Sequence, residues 1–342
     1  MSGRRLTAVV VVGLAAVALA LVLSCLVGAQ RISFARAFAG DEPDRAILLG
    51  LRLPRAVLAA VVGCALAAAG TALQALLRNP LAEPFVLGVS GGAALGGTII
   101  LLAATLAARL FVPLGDVLGA APPVAAGAIA GAAGATLLVF ALGRVGGRLV
   151  PEAALLVGII FNAFAAAVIT LLKVLVAPEQ AARLLYWLMG AIGYETGTTL
   201  ATGALCVGAA VAVLVLLSAR LNLLALGDDE AAALGVNVGR ARATVLLAAS
   251  AATGAAVALS GMVGFVGLIV PHAARRVLGP DHRFLVPASA LFGAAFLIVA
   301  DALARLAFLP LGTEPPVGAL TAFLGGPLFL WLLRRAERRE RG

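Results

Sequence analysis

The chain has 342 residues, 63% of them hydrophobic and only 12% charged, with a mean hydropathy of +1.11, and apolar runs of ~20 residues, the length of a bilayer span, recur along it. A soluble domain is excluded, and so are barrel strands, because the runs are too long and lack strict alternation; what remains is an all-α polytopic membrane protein. The net charge of +9 comes from 24 Arg and Lys173, most of them between spans or at the ends, where the positive-inside rule rather than nucleic-acid binding explains them.

Ten spans are predicted, at 6–28, 56–77, 84–108, 119–142, 151–176, 197–219, 241–260, 262–279, 284–308 and 316–334. The first follows Arg4 and Arg5 and is longer than a signal-peptide core, so it reads as a retained helix. Arg45, Arg52 and Arg55 cluster before the second span, either as interfacial anchors or as a basic docking patch. Residues 78–97 then read RNPLAEPFVLGVSGGAALGG. Arg78, Asn79, Pro80, Glu83 and Pro84 make a cytoplasmic corner, with the prolines ending one helix and starting the next. Gly88, Gly92 and Gly96 form a small-xxx-small face for close helix packing.

In the fifth span Asn162 is the most polar residue, placed either to bond across helices or to line a pathway. The connection 219–241 reads as two short helices. The first covers 221–226; the second begins at Asp228 or Asp229, either able to cap it, and stops near Gly235. Leu223, Leu224, Leu226 and Leu234 would face the membrane surface or a partner's groove. Residues 243–271 as one straight helix would run ~43 Å, so SGMVG at 260–264 is read as a break, followed by a short, partly re-entrant span. In the ninth span Asp301 and Arg305 are spaced i, i+4 and can pair with each other. An ion-coupled secondary transporter using Asp301 is the alternative reading.

Ten spans place both termini on the cytoplasmic side with sixteen of the 25 basic residues. Cys25, Cys64 and Cys206 sit in separate apolar runs as packing residues, with no metal-ligand spacing. The single lysine lies in ITLLKVL without nearby glycine, so a Walker-type ATP loop is excluded and ATP-driven work needs another subunit. Asp301, His272, Asn162 and Lys173 form no hydrolase constellation.

Several stretches together resemble one family. They are RLPRAVLAAVVGCALAAAGTALQALLRNPLAEPFVLGVSGGAALG at 52–96, LLVGIIFNA at 155–163, YWLMGAI at 186–192, ALGVNVGRAR at 233–242, GMVGFVGLIVPHAARRVLGPDHRFLVPASAL at 261–291, and ADALARL through PPVGALTAFLGGPLFLWLL at 300–333. Their order resembles a FecCD-type permease, the membrane subunit of ABC importers for iron–siderophore complexes, haem and cobalamin. The resemblance implies ten helices in a bacterial or archaeal cytoplasmic (inner) membrane. It implies a homodimer or pseudo-dimer with the pathway between subunits, and a periplasmic or lipid-anchored binding protein outside. Two ATPase subunits inside would bind the ATP and Mg, leaving no cofactor or metal in this chain. It further implies that Arg52, Arg55 and Arg305 receive acidic residues of the binding protein. Leu223, Leu226, Asp229, Glu230, Ala231, Ala232, Leu234 and Gly235 would seat in the ATPase, and Asn162 would lie on the gate-forming helix.

Overall fold

The computed structural model describes residues 2–28, 30, 32–110, 121–145, 148–175, 178–311 and 314–340. Helix α1 (Ser2–Leu26) is followed by a short α2 (Phe34–Ala39) capped by Ser33, whose side chain accepts from the Arg36 N–H. A π-helical turn, Ala46–Arg52, runs directly into α3 (Leu53–Leu76). The second span is therefore one 31-residue apolar helix beginning at Ala46, ten residues before its predicted start. Hydropathy hides this because the extension follows Arg45 and carries Arg52 and Arg55, and a helix continues through charges once they are paired.

After α4 (Val89–Arg109) and α5 (Ala121–Leu142), a two-residue antiparallel ladder joins Arg144–Val145 to Arg148–Leu149 and leads into α6 (Pro151–Val174). The ends of the predicted fourth and fifth spans at 119–120 and 176 lie outside the described residues. Two helices follow: α7 (Pro178–Leu188), absent from the sequence prediction, and α8 (Gly197–Leu216). The connection is α9 (Ser218–Leu226) and α10 (Asp228–Ala233). The last four helices are α11 (Val238–Ser260), α12 (Val266–Leu278), α13 (His282–Leu311) and α14 (Val317–Glu340).

Among the described residues eight helices are long and apolar enough to cross a membrane. The predicted eighth span corresponds to the short helix α12 and the tenth to a shorter apolar stretch, residues 317–330 of α14. At 13 residues α12 is ~20 Å long, short of the ~30 Å hydrocarbon core.

Helix α3 is the hub, packed by α13, α11, α12, α8 and α1. Its sequence is dominated by Ala, Leu and Gly, and nearly every residue from Ala56 to Leu76 is buried. Small side chains permit this crowding. A methyl on Gly70 would lie 2.1 Å from the Gly267 carbonyl oxygen of α12, so the two backbones touch directly. The predicted small face is realised by Gly92 and Gly96, which meet Gly131 and Gly127 of α5. Gly88 lies outside that face, in a left-handed turn at φ +80° ahead of the helix.

The predicted third span began at Pro84, but α4 begins at Val89. Residues 84–88 form a turn in which the Val89 N–H reaches the Pro84 carbonyl at 3.1 Å and the Leu87 N–H the Glu83 carbonyl at 3.1 Å. The left-handed Gly88 is what stops Pro84 from opening a regular helix.

Candidate translocation and coupling sites

Beyond the C-terminal end of α1, three arginines and two acids make a charged cluster. The Arg55 Nε donates to both carboxylate oxygens of Asp301 at 3.1 Å, its Nη2 donates to Oδ1 at 2.8 Å, and the same Nη2 donates to Glu314. The Arg305 Nε donates to Asp301 Oδ2 at 3.1 Å, so the predicted i, i+4 pair forms, shared with Arg55. The remaining donors of Arg305 reach the Val27 carbonyl at 2.9 Å, the Ser24 carbonyl at 3.1 Å and the Ser24 hydroxyl at 2.5 Å. Arg52 donates to the Cys25 carbonyl at 2.7 Å and to the Gln30 carbonyl. Two guanidinium groups thus satisfy the last carbonyls of α1, where a helix leaves acceptors open and cations are favoured. Arg52 and Arg55 are each 6% exposed and Asp301 is fully buried. The arginines singled out for docking are therefore turned inward, and Glu314 is the more accessible member.

The corner after α3 is tighter than an exposed loop. Arg78 adopts a left-handed φ of 50°, the Asn79 N–H donates to the Gln74 carbonyl at 3.1 Å, and the Asn79 side chain accepts from the Leu81 N–H at 2.9 Å, carrying the chain through Pro80. Glu83, read as a corner charge, is buried. Its carboxyl accepts the Phe265 backbone N–H at the start of α12, a helix end with no side-chain cap of its own. Burial pushes the Glu83 carboxyl up to about 8, with the Phe265 N–H pulling it partly back. Gln74 supports the same helix end, donating to the Gly267 carbonyl at 3.1 Å and accepting from Arg275 at 3.3 Å. Asn162 of α6 donates to the Phe85 carbonyl at 2.6 Å, so its amide bonds across helices to the turn after Pro84.

Three chain segments meet beside this corner. The Ala191 N–H donates to the Ser260 carbonyl at 2.9 Å, and the Gly318 N–H donates to the Gly190 carbonyl at 2.8 Å. A methyl on Gly261 would lie 1.7 Å from the Trp187 carbonyl oxygen, and one on Gly318 would lie 2.3 Å from that of Met189. The exit of α7, the break between α11 and α12, and the start of α14 are therefore joined backbone to backbone. Phe265, left-handed at φ 67°, presses its ring against Gly325 of α14.

At the opposite end from the arginine cluster, α9 and α10 are held against the bundle. Leu221 and Leu224 are fully buried with Leu214, Ala72, Leu76 and Val286. Ala231 is also fully buried, and Leu223 is half-buried. Leu226, Asp229, Glu230, Ala232, Leu234 and Gly235 are exposed and make the outer surface of the connection. Gly235, at φ +83°, forms the predicted left-handed stop. The predicted aspartate cap is not formed: the residue before α10 is Gly227, and Asp228 is the first helical residue. Its carboxylate pairs instead with Arg242 of α11 at 2.7 Å, answering a guanidinium only 6% exposed.

A second tether was not read from the sequence. Asn222 of α9 donates to Asp281 Oδ1 at 2.7 Å, and its Oδ1 accepts the His282 N–H at 2.8 Å and lies 2.7 Å from His282 Nδ1. Arg283 donates to the same aspartate from Nε at 3.1 Å and Nη2 at 2.6 Å, holding its carboxyl well below the usual range. The available signal was the pair of turn residues Gly279 and Pro280 followed by Asp281 and His282, but their partner lies 59 residues away. Among the described residues no three of His, Cys, Asp and Glu converge as metal ligands.

Comparison with known proteins adds four findings. The model of the FecCD transport family matches residues 16–335. The hemin transport system permease protein of Yersinia pestis is 42% identical over 330 residues, covering 93% of each chain. The cobalamin import system permease protein of Halobacterium salinarum is 40% identical over 302 residues, covering 88% of this chain and 77% of the relative. Among solved structures, an inward-facing conformation described as a metal-chelate type ABC transporter matches with a TM-score of 0.79 and 29% identity, over 96% of this chain and 99% of the other.

Proposed function

The chain belongs to the FecCD transport family, the membrane permeases of ATP-driven importers that work with ATPase and substrate-binding partners, and from that premise we propose how it does so. Two copies pair around a pathway lined by α6 and α14, with both termini in the cytoplasm. The exposed apolar residues Ile159, Ile160 and Phe164 on α6 and Phe323 and Leu330 on α14 support this pairing. The cargo is a bulky organic chelate, in the range of iron–siderophore, haem and cobalamin. Apolar sliding walls suit such a cargo better than fixed coordination.

The observation that carries the mechanism is the pair of tethers on α9 and α10. ATP binding in the partner ATPase moves the exposed residues Leu226, Asp229, Glu230, Leu234 and Gly235. Asn222 passes the motion to the Asp281–His282 corner, and so to α12 and α13; Asp228 passes it to α11 through Arg242. The pathway then opens to the other side, by alternating access. On the outer face, acidic residues of a binding protein reach Arg55 only in competition with Asp301 and Glu314. Asp301 is held by two guanidinium groups, which speaks against its cycling as an ion-coupling carboxylate.

The test is reconstitution of the chain with its ATPase and binding protein in proteoliposomes. ATP-dependent uptake of one of the three cargo classes is expected. Uptake by the chain alone, or uptake that follows a proton gradient and ignores ATP, overturns the reading.

A further inference from the structure

Helices α1 and α12 both pack on α13 and scarcely touch each other. Between them lies an apolar groove of about 590 Å³, within the range of small-molecule sites. Its floor is α13, through Phe296; its walls are Val9 and Val12 of α1 and Ile269, Ala273 and Val277 of α12. Its inner end lies at Ile269 and Phe296, past the level at which a methyl on Gly13 of α1 would lie 2.7 Å from the Leu291 side chain of α13. At the other end it opens beside Arg5, its one charged lining residue.

That opening is basic. Arg5 stands 5.6 Å over the ring of Phe284, and Arg283 stands 6.0 Å from the same ring. Arg5 is exposed, and the Arg283 side chain is 56% exposed. A slot with an oily interior and two guanidinium groups at one end, that of Arg283 shared with Asp281, matches a molecule with an apolar tail and an anionic head. Basic pockets between spanning helices recognise anionic lipid head groups in this way. A second copy of the chain fits poorly, since a twofold contact here would bring the same arginines face to face.

We propose that this groove is a binding site for an anionic phospholipid, one acyl chain lying against Val12, Ile269 and Phe296 and the phosphate meeting Arg5 and Arg283. The probe is an equal mixture of phosphatidylglycerol and phosphatidylcholine added to the purified full-length chain in detergent, with bound lipid read by native mass spectrometry. Phosphatidylglycerol is expected to be retained preferentially. Arg5→Gln lowers its retention about fivefold, the worth of one surface arginine, and leaves phosphatidylcholine unchanged. Arg5→Lys restores it, and Ala273→Trp, which fills the slot, lowers retention of both lipids. Equal retention of the two lipids by the unmodified chain, or no loss in Arg5→Gln eluting as a folded species, overturns the proposal. So does cross-linking of a Val277→Cys variant to a second copy, which would make the groove a protein interface.

Discussion

Asn222→Ala tests the tether between the connection and the bundle. The amide accepts the His282 N–H at 2.8 Å, faces Nδ1 of that ring at 2.7 Å and donates to Asp281 at 2.7 Å. Asp281 keeps its bonds from Arg283, so its loss is small. The His282 N–H is different: it is a first-turn donor of α13, and His282 is only 2% exposed. Leaving such a donor unpaired costs ~1–3 kcal/mol, and the lost ring contact adds ~1 kcal/mol. A total of about 3 kcal/mol multiplies local opening by about 150, at tenfold per 1.4 kcal/mol. Hydrogen exchange read by mass spectrometry is expected to accelerate by about two orders of magnitude in amides 218–226, while α3 stays protected. In proteoliposomes with both partners, cargo moved per ATP hydrolysed is expected to fall while basal hydrolysis persists. Unchanged exchange in 218–226 would refute the energetic reasoning. Faster exchange with unaltered cargo per ATP would show a tether that holds α9 in place without transmitting force.

Asp301→Asn leaves two buried guanidinium groups sharing a neutral amide, and breaking buried pairs of this kind costs ~3–5 kcal/mol; the thermal midpoint in detergent should drop steeply, and an unchanged midpoint would deny the cluster its structural role. The Glu83 carboxyl, raised to about 8, stabilises the fold fully below its ordinary value near 4.5 and loses that contribution as pH rises through about 8. Thermal stability of the native chain should decline between pH 5 and 8; Glu83→Gln, which keeps an acceptor for Phe265, should flatten that decline, and parallel curves would sink the assignment. Gly235→Ala meets no neighbour within 4 Å, so its cost is that of a left-handed alanine alone, ~1–2 kcal/mol; it should shift coupled uptake modestly with normal assembly, and loss of assembly would mean that the turn does more than redirect the chain.

The helical membrane architecture was legible because hydropathy reports it directly, and the break at 260–264 was legible because the unbroken helix would have been too long. The reach of the second span back to Ala46 was not, since Arg52 and Arg55 interrupt the apolar pattern and their partners, Cys25, Gln30, Asp301 and Glu314, are distant in sequence. Glu83 misled for a related reason. Between two prolines it has the composition of a surface turn, and only the fold brings Phe265 to it. The connection 219–241 was read well in its helices and its stop, which are local features. Its tethers to Asp281, His282 and Arg242 depend on how α13 and α11 are stacked.

The meeting of Gly190, Ser260, Gly261 and Gly318 carries a mechanical consequence. Its bonds run main chain to main chain, so replacing side chains elsewhere on α7, α11 or α14 leaves it intact. Helices α7, α11 and α14 are yoked there: tilting one drags the other two, and a gate built from them swings as a single leaf. Sensitivity to mutation should concentrate on glycines that carry no chemistry, because there a lone methyl would pry the hinge plates apart.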